Sequence, residues 1–251
     1  MHGENSLEGI QEIRSISKKF RIEADVCLTA DAVPILNHDL TLDRMCGAST
    51  IISEISWPDL PRRLDGDTFV ALADLLDEFP DQLFLLDLRT NVHQEFLAES
   101  SLTTGDLEPI ADQLIESMRK IIPDPSAPNI RFCVTAPAHR DKVLKAFPSF
   151  EVDIGEIATR KYLSALPDGP AERILGSGNE RMYIRFREIR RDIVRWAHDR
   201  QLKLIANHSP SLRSLENSQM MLEKCLEWGL DGLVTSPINQ TFIETWQAAR
   251  R

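Results

Sequence analysis

Short runs of apolar residues alternate along this chain with longer segments whose apolar residues recur every three or four positions. The short runs predict strands, and the longer segments predict amphipathic helices. The strands are predicted at 21–28, 83–88, 130–134, 150–154, 182–186, 202–206 and 233–235. The helices are predicted at 4–20, 68–79, 107–122, 137–147, 158–166, 188–201, 212–228 and 238–249. This regular alternation is typical of βα units and a parallel sheet, and we expect one domain over residues 1–251.

The first strand carries the candidate chemistry. Its side chains alternate between two faces, so Glu23 and Asp25 point the same way. A turn and a short return strand at 33–36 predict a hairpin that brings His38 back toward the two carboxylates. Asp87 and Arg89 follow at the end of the next strand. Alone, the E-x-D pattern is typical of a half-solvated strand, His38 of a capped loop, and Asp87 with Arg89 of an ion pair at a strand end. Together they have the groups that hold a hard cation and move a proton.

Composition and charge narrow the function classes. The 251 residues carry a net charge of −10, which argues against nucleic-acid binding, and the arginines at 185–191 are expected on a helix surface. The four cysteines form no C-x-x-C pair, which is typical of reduced thiols in a cytoplasm. We expect neither a signal peptide nor a membrane span, and therefore a cytoplasmic protein.

Several motifs resemble those of the glycerophosphodiester phosphodiesterase family. E-N-S-L at 4–7 resembles the family's P-E-N-T-L, and E-A-D at 23–25 with L-T-A-D at 28–31 resembles E-x-D-V-x-x-T-x-D-G. N-H-D-L-T-L-D-R at 37–44 resembles H-D-x-x-L-x-R, the segment at 68–79 resembles I-P-T-L-x-E-x-L, and G-L-D-G-L-V-T-S-P at 229–237 resembles the family's last strand. The resemblance covers 4–89 and 202–238, and the middle of the chain shows only the alternation.

The resemblance implies a TIM-type (β/α) barrel that hydrolyses a small glycerophosphodiester to glycerol 3-phosphate and an alcohol. A divalent cation, Ca²⁺ or Mg²⁺, is expected on three carboxylates. Arg89 stands where the family has a lysine that meets phosphate. The site residues implied are catalytic His38 and His2, metal ligands Glu23, Asp25 and Asp87, and substrate-binding Arg89, Glu4 and Asn5.

The chain departs from the family in two places. The family begins with a strand that ends in H-R-G and supplies a catalytic histidine, whereas His2 lies too close to Glu4 to align with it. We therefore predict seven recognisable parallel strands, with the first strand of the barrel missing. We expect either that the N-terminus is incomplete or that a homodimer covers the sheet edge that the missing strand leaves open. Asn207 stands where relatives often have a tryptophan that walls the substrate pocket, which leaves the head group open.

Two other functions are consistent with the sequence. One is a catalytically impaired barrel of the same family that binds a phosphorylated ligand or a partner. The other is an unrelated lyase or aldolase on a TIM barrel, which needs a buried lysine or a different base. No predicted strand ends in a lysine, so this function is the least favoured. The remaining histidines at 93, 139 and 198 are expected to be structural or at the surface, and His208 is a weak candidate because it follows a predicted strand.

Overall fold

The computed structural model describes residues 4–64, 66–89, 104–122, 129–134, 137–154, 181–208, 215–235 and 240–249. They belong to two units, Met1–Val152 and Asp153–Arg251. His2, His93, the helix predicted at 158–166 and the loop predicted at 169–178 lie outside the described residues. The prediction of a single domain over 1–251 stays a prediction.

All seven predicted parallel strands occur in the described ranges, some with shifted ends. The strands are β1 (Arg21–Leu28), β2 (Pro34–Leu36), β3 (Thr41–Leu42), β4 (Ala48–Ile51), β5 (Leu83–Leu88), β6 (Ile130–Val134), β7 (Val152–Ile154), β8 (Arg181–Arg185), β9 (Lys203–His208) and β10 (Gly232–Thr235). The helices are α1 (Leu7–Ile16), α2 (Asp43–Cys46), α3 (Leu72–Glu78), α4 (Thr104–Ile121), α5 (Pro137–Ala146), α6 (Arg191–His198), α7 (Leu215–Glu227) and α8 (Gln240–Ala249).

The sheet that includes β1 has the order β2-β1-β5-β6-β7. β1 runs parallel to β5, with Asp25 opposite Asp87, and β5 runs parallel to β6. β1 and β2 form the predicted antiparallel hairpin, with Val26 opposite Leu36. The parallel register matters for the site because it places equivalent ends of β1 and β5 side by side.

The core of the first unit lies on one face of this sheet. Alternate residues of β1 and β5 are buried there against α1, α3, α4 and α5: Ile22, Ala24, Val26, Leu28, Phe84, Leu86 and Leu88. Burying each large apolar side chain contributes about 1.5–3 kcal/mol, so this face fixes the phase of both strands. Because side chains alternate, residues 23, 25 and 87 are directed to the opposite face.

The serines and threonines at 47–58 predict a loop, but residues 38–60 form short regular elements. β3 and β4 pair as a two-stranded antiparallel sheet, followed by 3₁₀ turns at Ile52–Glu54 and Trp57–Asp59. A buried cluster that includes Ile35, Leu42 and Ile52 holds this segment. Strands of two to four residues are too short for hydrophobic periodicity to reveal them.

Three of the helix starts that differ from the prediction have a local cause. α1 begins at Leu7 because Ser6 is its N-cap, with its Oγ accepting a hydrogen bond from the Gly9 N–H at 3.1 Å. α3 begins at Leu72, since Ala71 instead forms a β-bridge to Ile35. α4 begins at Thr104, three residues before the predicted start, because its first residues are polar and show no apolar period.

The second unit contains a three-stranded parallel sheet of order β10-β9-β8. Its core includes Met182 and Ile184 of β8, Leu204 of β9, and Val194 of α6. Among the described residues of both units, no helix is long and apolar enough to cross a membrane.

Candidate functional site

Three carboxylates meet on the face of the β1–β5 pair that is opposite the helices. Glu23 and Asp25 come from β1 and Asp87 comes from β5, directly across from Asp25. One oxygen of each can be chosen so that all three lie within 4.8 Å of one another. Strand alternation puts Glu23 and Asp25 on one face, and the parallel register adds Asp87. The cluster therefore has the spacing to share one cation.

Two buried carboxylate oxygens of this cluster make no hydrogen bond. Asp25 and Asp87 are only 8% and 9% exposed, and the Oδ1 atom of each is buried without a hydrogen bond. A buried carboxylate oxygen without a partner is costly unless a donor or a cation approaches it. Carboxylate oxygens are the ligands that hard divalent cations prefer. The residues present therefore fit a divalent cation.

Arg89 partly neutralises the same carboxylates. Its Nη1 donates a hydrogen bond to Asp87 Oδ2 at 3.1 Å and lies 3.6 Å from Asp25 Oδ1. Its side chain is 11% exposed, so this ion pair is largely shielded from water. Burial lowers the pKa of Arg89, but the two carboxylates outweigh burial and the net shift is upward. Arg89 is thus a fixed positive charge beside the cluster.

The cluster carries more negative charge than Arg89 balances. Burial of the Glu23 carboxyl, and then repulsion from Asp25 and Asp87, raise its pKa to about 8, although the residue as a whole is exposed. Burial likewise raises the pKa of Asp87 to about 6, against the opposing effect of Arg89. A divalent cation would relieve this repulsion.

Asn5, two residues before α1, holds Asp25 through two hydrogen bonds. Its Nδ2 donates to Asp25 Oδ2 at 3.0 Å, and its Oδ1 accepts the backbone N–H of Asp25 at 3.1 Å. Asn5 adopts a left-handed backbone with φ +55°, a conformation that asparagine tolerates better than most residues. Because Oδ2 is committed to Asn5, Oδ1 is the atom of Asp25 left for a cation.

His38 belongs to a second cluster at the end of the hairpin. Its Nδ1 is 2.7 Å from Asp39 Oδ1, and Asp39 Oδ2 accepts a hydrogen bond from Arg44 Nε at 2.6 Å. The hydrogen bond to Asp39 raises the pKa of His38. Burial raises the pKa of Asp39, but the bonds from His38 and Arg44 outweigh it and bring that pKa to about 2. His38 is therefore a titratable group with a fixed counter-charge.

The other predicted residues have varied surroundings. Glu4 accepts a hydrogen bond from Arg44, so Glu4 and Asn5 both contact protein groups, and their binding of substrate stays a prediction. His198 lies 2.8 Å from Asp231 and belongs to no group of three potential metal ligands among the described residues. His139 is buried in α5, and Asn207 is half-buried in β9. Residue 208 is the last residue of β9 rather than a residue that follows the strand.

Asp39 and Arg44 were not singled out by the sequence analysis, although both lie in the motif around His38. A charged pair five residues apart on either side of a short strand is the only local signal for their bond. The contact depends on β3 and α2, which the hydrophobic pattern did not reveal.

Comparisons with known proteins show which family and which solved structures this chain is similar to. The sequence model of the Glycerophosphoryl diester phosphodiesterase family matches residues 2–121, just under half of the chain. A search of curated proteins found no match.

Solved structures share the fold at low sequence identity. A glycerophosphodiester phosphodiesterase from Thermotoga maritima is 15% identical, with a TM-score of 0.69 over 97% of this chain and 92% of the other. One from Parabacteroides distasonis is 14% identical, with a TM-score of 0.67 over 98% and 91%. An Oleispira antarctica phosphodiesterase, solved with the product sn-glycerol-3-phosphate, is 14% identical, with a TM-score of 0.66 over 93% and 86%.

These likenesses confirm the predicted fold class, an α/β chain of the TIM-barrel type with mostly parallel strands. The family match covers the segment that holds Glu23, Asp25, Asp87, Arg89 and His38. The sequence match shows that residues 2–121 of this chain are similar to the glycerophosphoryl diester phosphodiesterase family, and the solved structures show that the chain shares its fold.

Proposed function

We propose that this protein hydrolyses a small glycerophosphodiester to glycerol 3-phosphate and an alcohol, with a divalent cation on Glu23, Asp25 and Asp87. The observation that carries the proposal is the convergence of those carboxylates within 4.8 Å. The family match over the same segment supports the substrate class. Oxygen-only ligands favour Ca²⁺ or Mg²⁺ over softer metals.

The cation would supply positive charge that neutralises the diester and orients it. Arg89 adds a planar donor beside the carboxylates, suited to a non-bridging phosphate oxygen. In the transition state this oxygen gains negative charge, so a fixed guanidinium there stabilises the transition state more than the substrate.

His38 is the proposed acid. As the water oxygen bonds to phosphorus, the P–O bond to the alcohol breaks and its electron pair stays on the alcohol oxygen. Protonated His38 donates the Nε2 proton to that oxygen, while a base takes a proton from the water. We assign the base to His2, which lies outside the described residues. Asn207 stands where relatives often have the tryptophan of the substrate pocket, so the proposal does not specify the head group of the substrate.

The experiment is hydrolysis of glycerophosphocholine, followed by release of glycerol 3-phosphate. We expect turnover with Ca²⁺ or Mg²⁺, no turnover in chelator, and recovery on adding the ion back. Asp25→Asn should be inactive, while Asp81→Asn, which changes an exposed carboxylate paired with Arg14, should match wild type. An intact protein that binds the ion but cleaves no glycerophosphodiester would favour the impaired barrel that only binds a phosphorylated ligand.

Four further predictions accompany this proposal. His2→Ala should lower the rate, and unchanged activity would show that His2 is not the base. If an in-frame strand ending in His-Arg-Gly is encoded upstream, adding it should raise the rate. Sedimentation should detect a homodimer if a second copy covers the open edge expected from the sequence, and cell fractionation tests the expected cytoplasmic location.

A further inference from the structure

A line of charged side chains ends on the imidazole of His38. Arg44 lies at its centre, where Nε donates a hydrogen bond to Asp39 Oδ2 at 2.6 Å and Nη2 donates to Glu4 Oε1. Asp39 uses its other oxygen, Oδ1, on His38 Nδ1 at 2.7 Å. Both oxygens of Asp39 are therefore engaged, so rotating this carboxylate breaks a charge-assisted hydrogen bond.

This arrangement determines which ring nitrogen of His38 carries the proton. An ionised carboxylate only accepts hydrogen bonds, so Asp39 requires that His38 Nδ1 carry a proton. Nε2 makes no hydrogen bond with any residue that the structure describes. It is therefore the ring nitrogen free to exchange a proton with another molecule.

The far end of the line is anchored. The backbone carbonyl of Glu4 accepts a hydrogen bond from Arg63 Nη1 at 3.1 Å, and Arg63 is only 3% exposed. The carboxylate that holds Arg44 thus comes from a segment fixed to the interior. Arg44 connects this segment to the hairpin that carries His38.

Stability alone does not account for the network. The side chains of Arg44 and Glu4 are 50% and 44% exposed, and ion pairs this exposed contribute little to folding. Their effect is on geometry, because Arg44 binds two carboxylates at once through a planar fork.

We propose that Arg44 is a positioning residue: it holds Asp39 in one orientation, keeps the proton of neutral His38 on Nδ1, and so presents Nε2 for proton transfer. The role in catalysis rests on the function proposed above. Arg44 itself touches neither the carboxylate cluster nor the reacting groups in this account, and it acts only through Asp39.

The test compares two leaving groups. A general acid contributes roughly 10²–10⁴-fold when the leaving oxygen needs a proton, and little when the leaving group is stable as an anion. We expect Arg44→Gln to lower kcat for glycerophosphocholine about tenfold or more, with KM nearly unchanged. On glycerol 4-nitrophenyl phosphate, whose leaving group needs no proton, the loss should be under about threefold.

A second measurement does not depend on turnover. ¹⁵N NMR of labelled histidine reports whether neutral His38 carries its proton on Nδ1 or on Nε2, and Arg44→Gln should shift the ring toward a mixture of both. Arg119→Gln removes a similarly exposed ion pair, with Glu116 on α4, and should change neither readout.

The outcomes separate the two proposals. If wild type cleaves neither substrate, the proposed function fails while the NMR comparison still tests the effect of Arg44 on His38. Equal losses on both leaving groups, or an unchanged tautomer in Arg44→Gln, would overturn the positioning role. Asp39→Asn provides a check, since it should reproduce the leaving-group dependence of Arg44→Gln.

Discussion

Replacing Arg89 by methionine should destabilise the ion-free protein strongly and a cation-bound protein weakly. Arg89 is the positive charge that contacts Asp25 and Asp87 when no ion is bound. Methionine keeps much of the side-chain length and removes only the charge and the donors. The carboxylates would then face one another with two buried oxygens already lacking hydrogen bonds.

The loss of stability in Arg89→Met follows from the distances between Arg89 and the two carboxylates. At an effective dielectric constant of about 20, a unit charge 3.1 Å from Asp87 and 3.6 Å from Asp25 gains roughly 5 kcal/mol from each contact. The desolvation of Arg89 offsets part of this gain. Removing one partner of a buried ion pair costs about 3–5 kcal/mol in practice. For a protein of this length the melting temperature should fall by roughly 6–20 °C.

The assay is thermal unfolding followed by circular dichroism, first in chelator and then with increasing Ca²⁺ or Mg²⁺. A bound cation supplies the missing charge, so the melting temperature of Arg89→Met should rise further with the ion than that of wild type. Arg119→Met, at an exposed site, is the control for loss of an arginine.

Two results would refute this reasoning. One is a variant that melts within about 2 °C of wild type in chelator, which corresponds to about 1 kcal/mol or less. The other is an equal response of both proteins to the ion. Either result would show that Arg89 does not balance the carboxylates. Phosphodiester affinity should fall in the variant, as expected for a phosphate-binding guanidinium, while ion binding persists.

Three more predictions concern the neighbours of the site. Asp25→Asn should abolish the heat of Ca²⁺ or Mg²⁺ binding in calorimetry with an unchanged circular dichroism spectrum, and retained binding would remove Asp25 from the ligand set. Asn5→Ala should weaken ion binding about 10–100-fold, because Asn5 orients Asp25 as an outer-shell partner does, whereas Ser15→Ala on the exposed face of α1 should not. In NMR titrations Asp39→Asn should lower the pKa of His38, whose bond to Asp39 raises it. The raised pKa of His38 stabilises the folded protein fully below pH 6.5, the ordinary pKa of histidine. This stabilisation is lost as the pH rises from 6.5 through the pKa of His38 in the folded protein. Over that pH range wild type should lose stability, and Asp39→Asn should lose less.

The sequence predicted the parts of the site that follow from strand phase. The alternation of apolar residues in β1 places Glu23 and Asp25 on one face whatever the rest of the chain does. The apolar run of β5 ends at Asp87 and Arg89, and a parallel pairing of the two strands brings the charged ends together. These contacts depend on local periodicity and one pairing rule.

The remaining contacts depend on features with no periodic signal. Asn5 contacts Asp25 from 20 positions away, with its backbone in a left-handed conformation. Asp39 meets Arg44 across β3, a strand of two residues. Such contacts come from tertiary packing around the cluster of Ile35, Leu42 and Ile52, and a single sequence carries little record of them.

Cys27, two residues after Asp25 in β1, can be used to measure how often the site opens. Cys27 is fully buried in β1, its Sγ donates a weak hydrogen bond to the carbonyl of Asn37 at 3.0 Å, and burial raises the pKa of its thiol. The thiol is therefore protonated and inaccessible while the hairpin is closed. Its rate of alkylation consequently measures how often β2 separates from β1, and an ion bound two residues away should slow that reaction in proportion to the stability it adds.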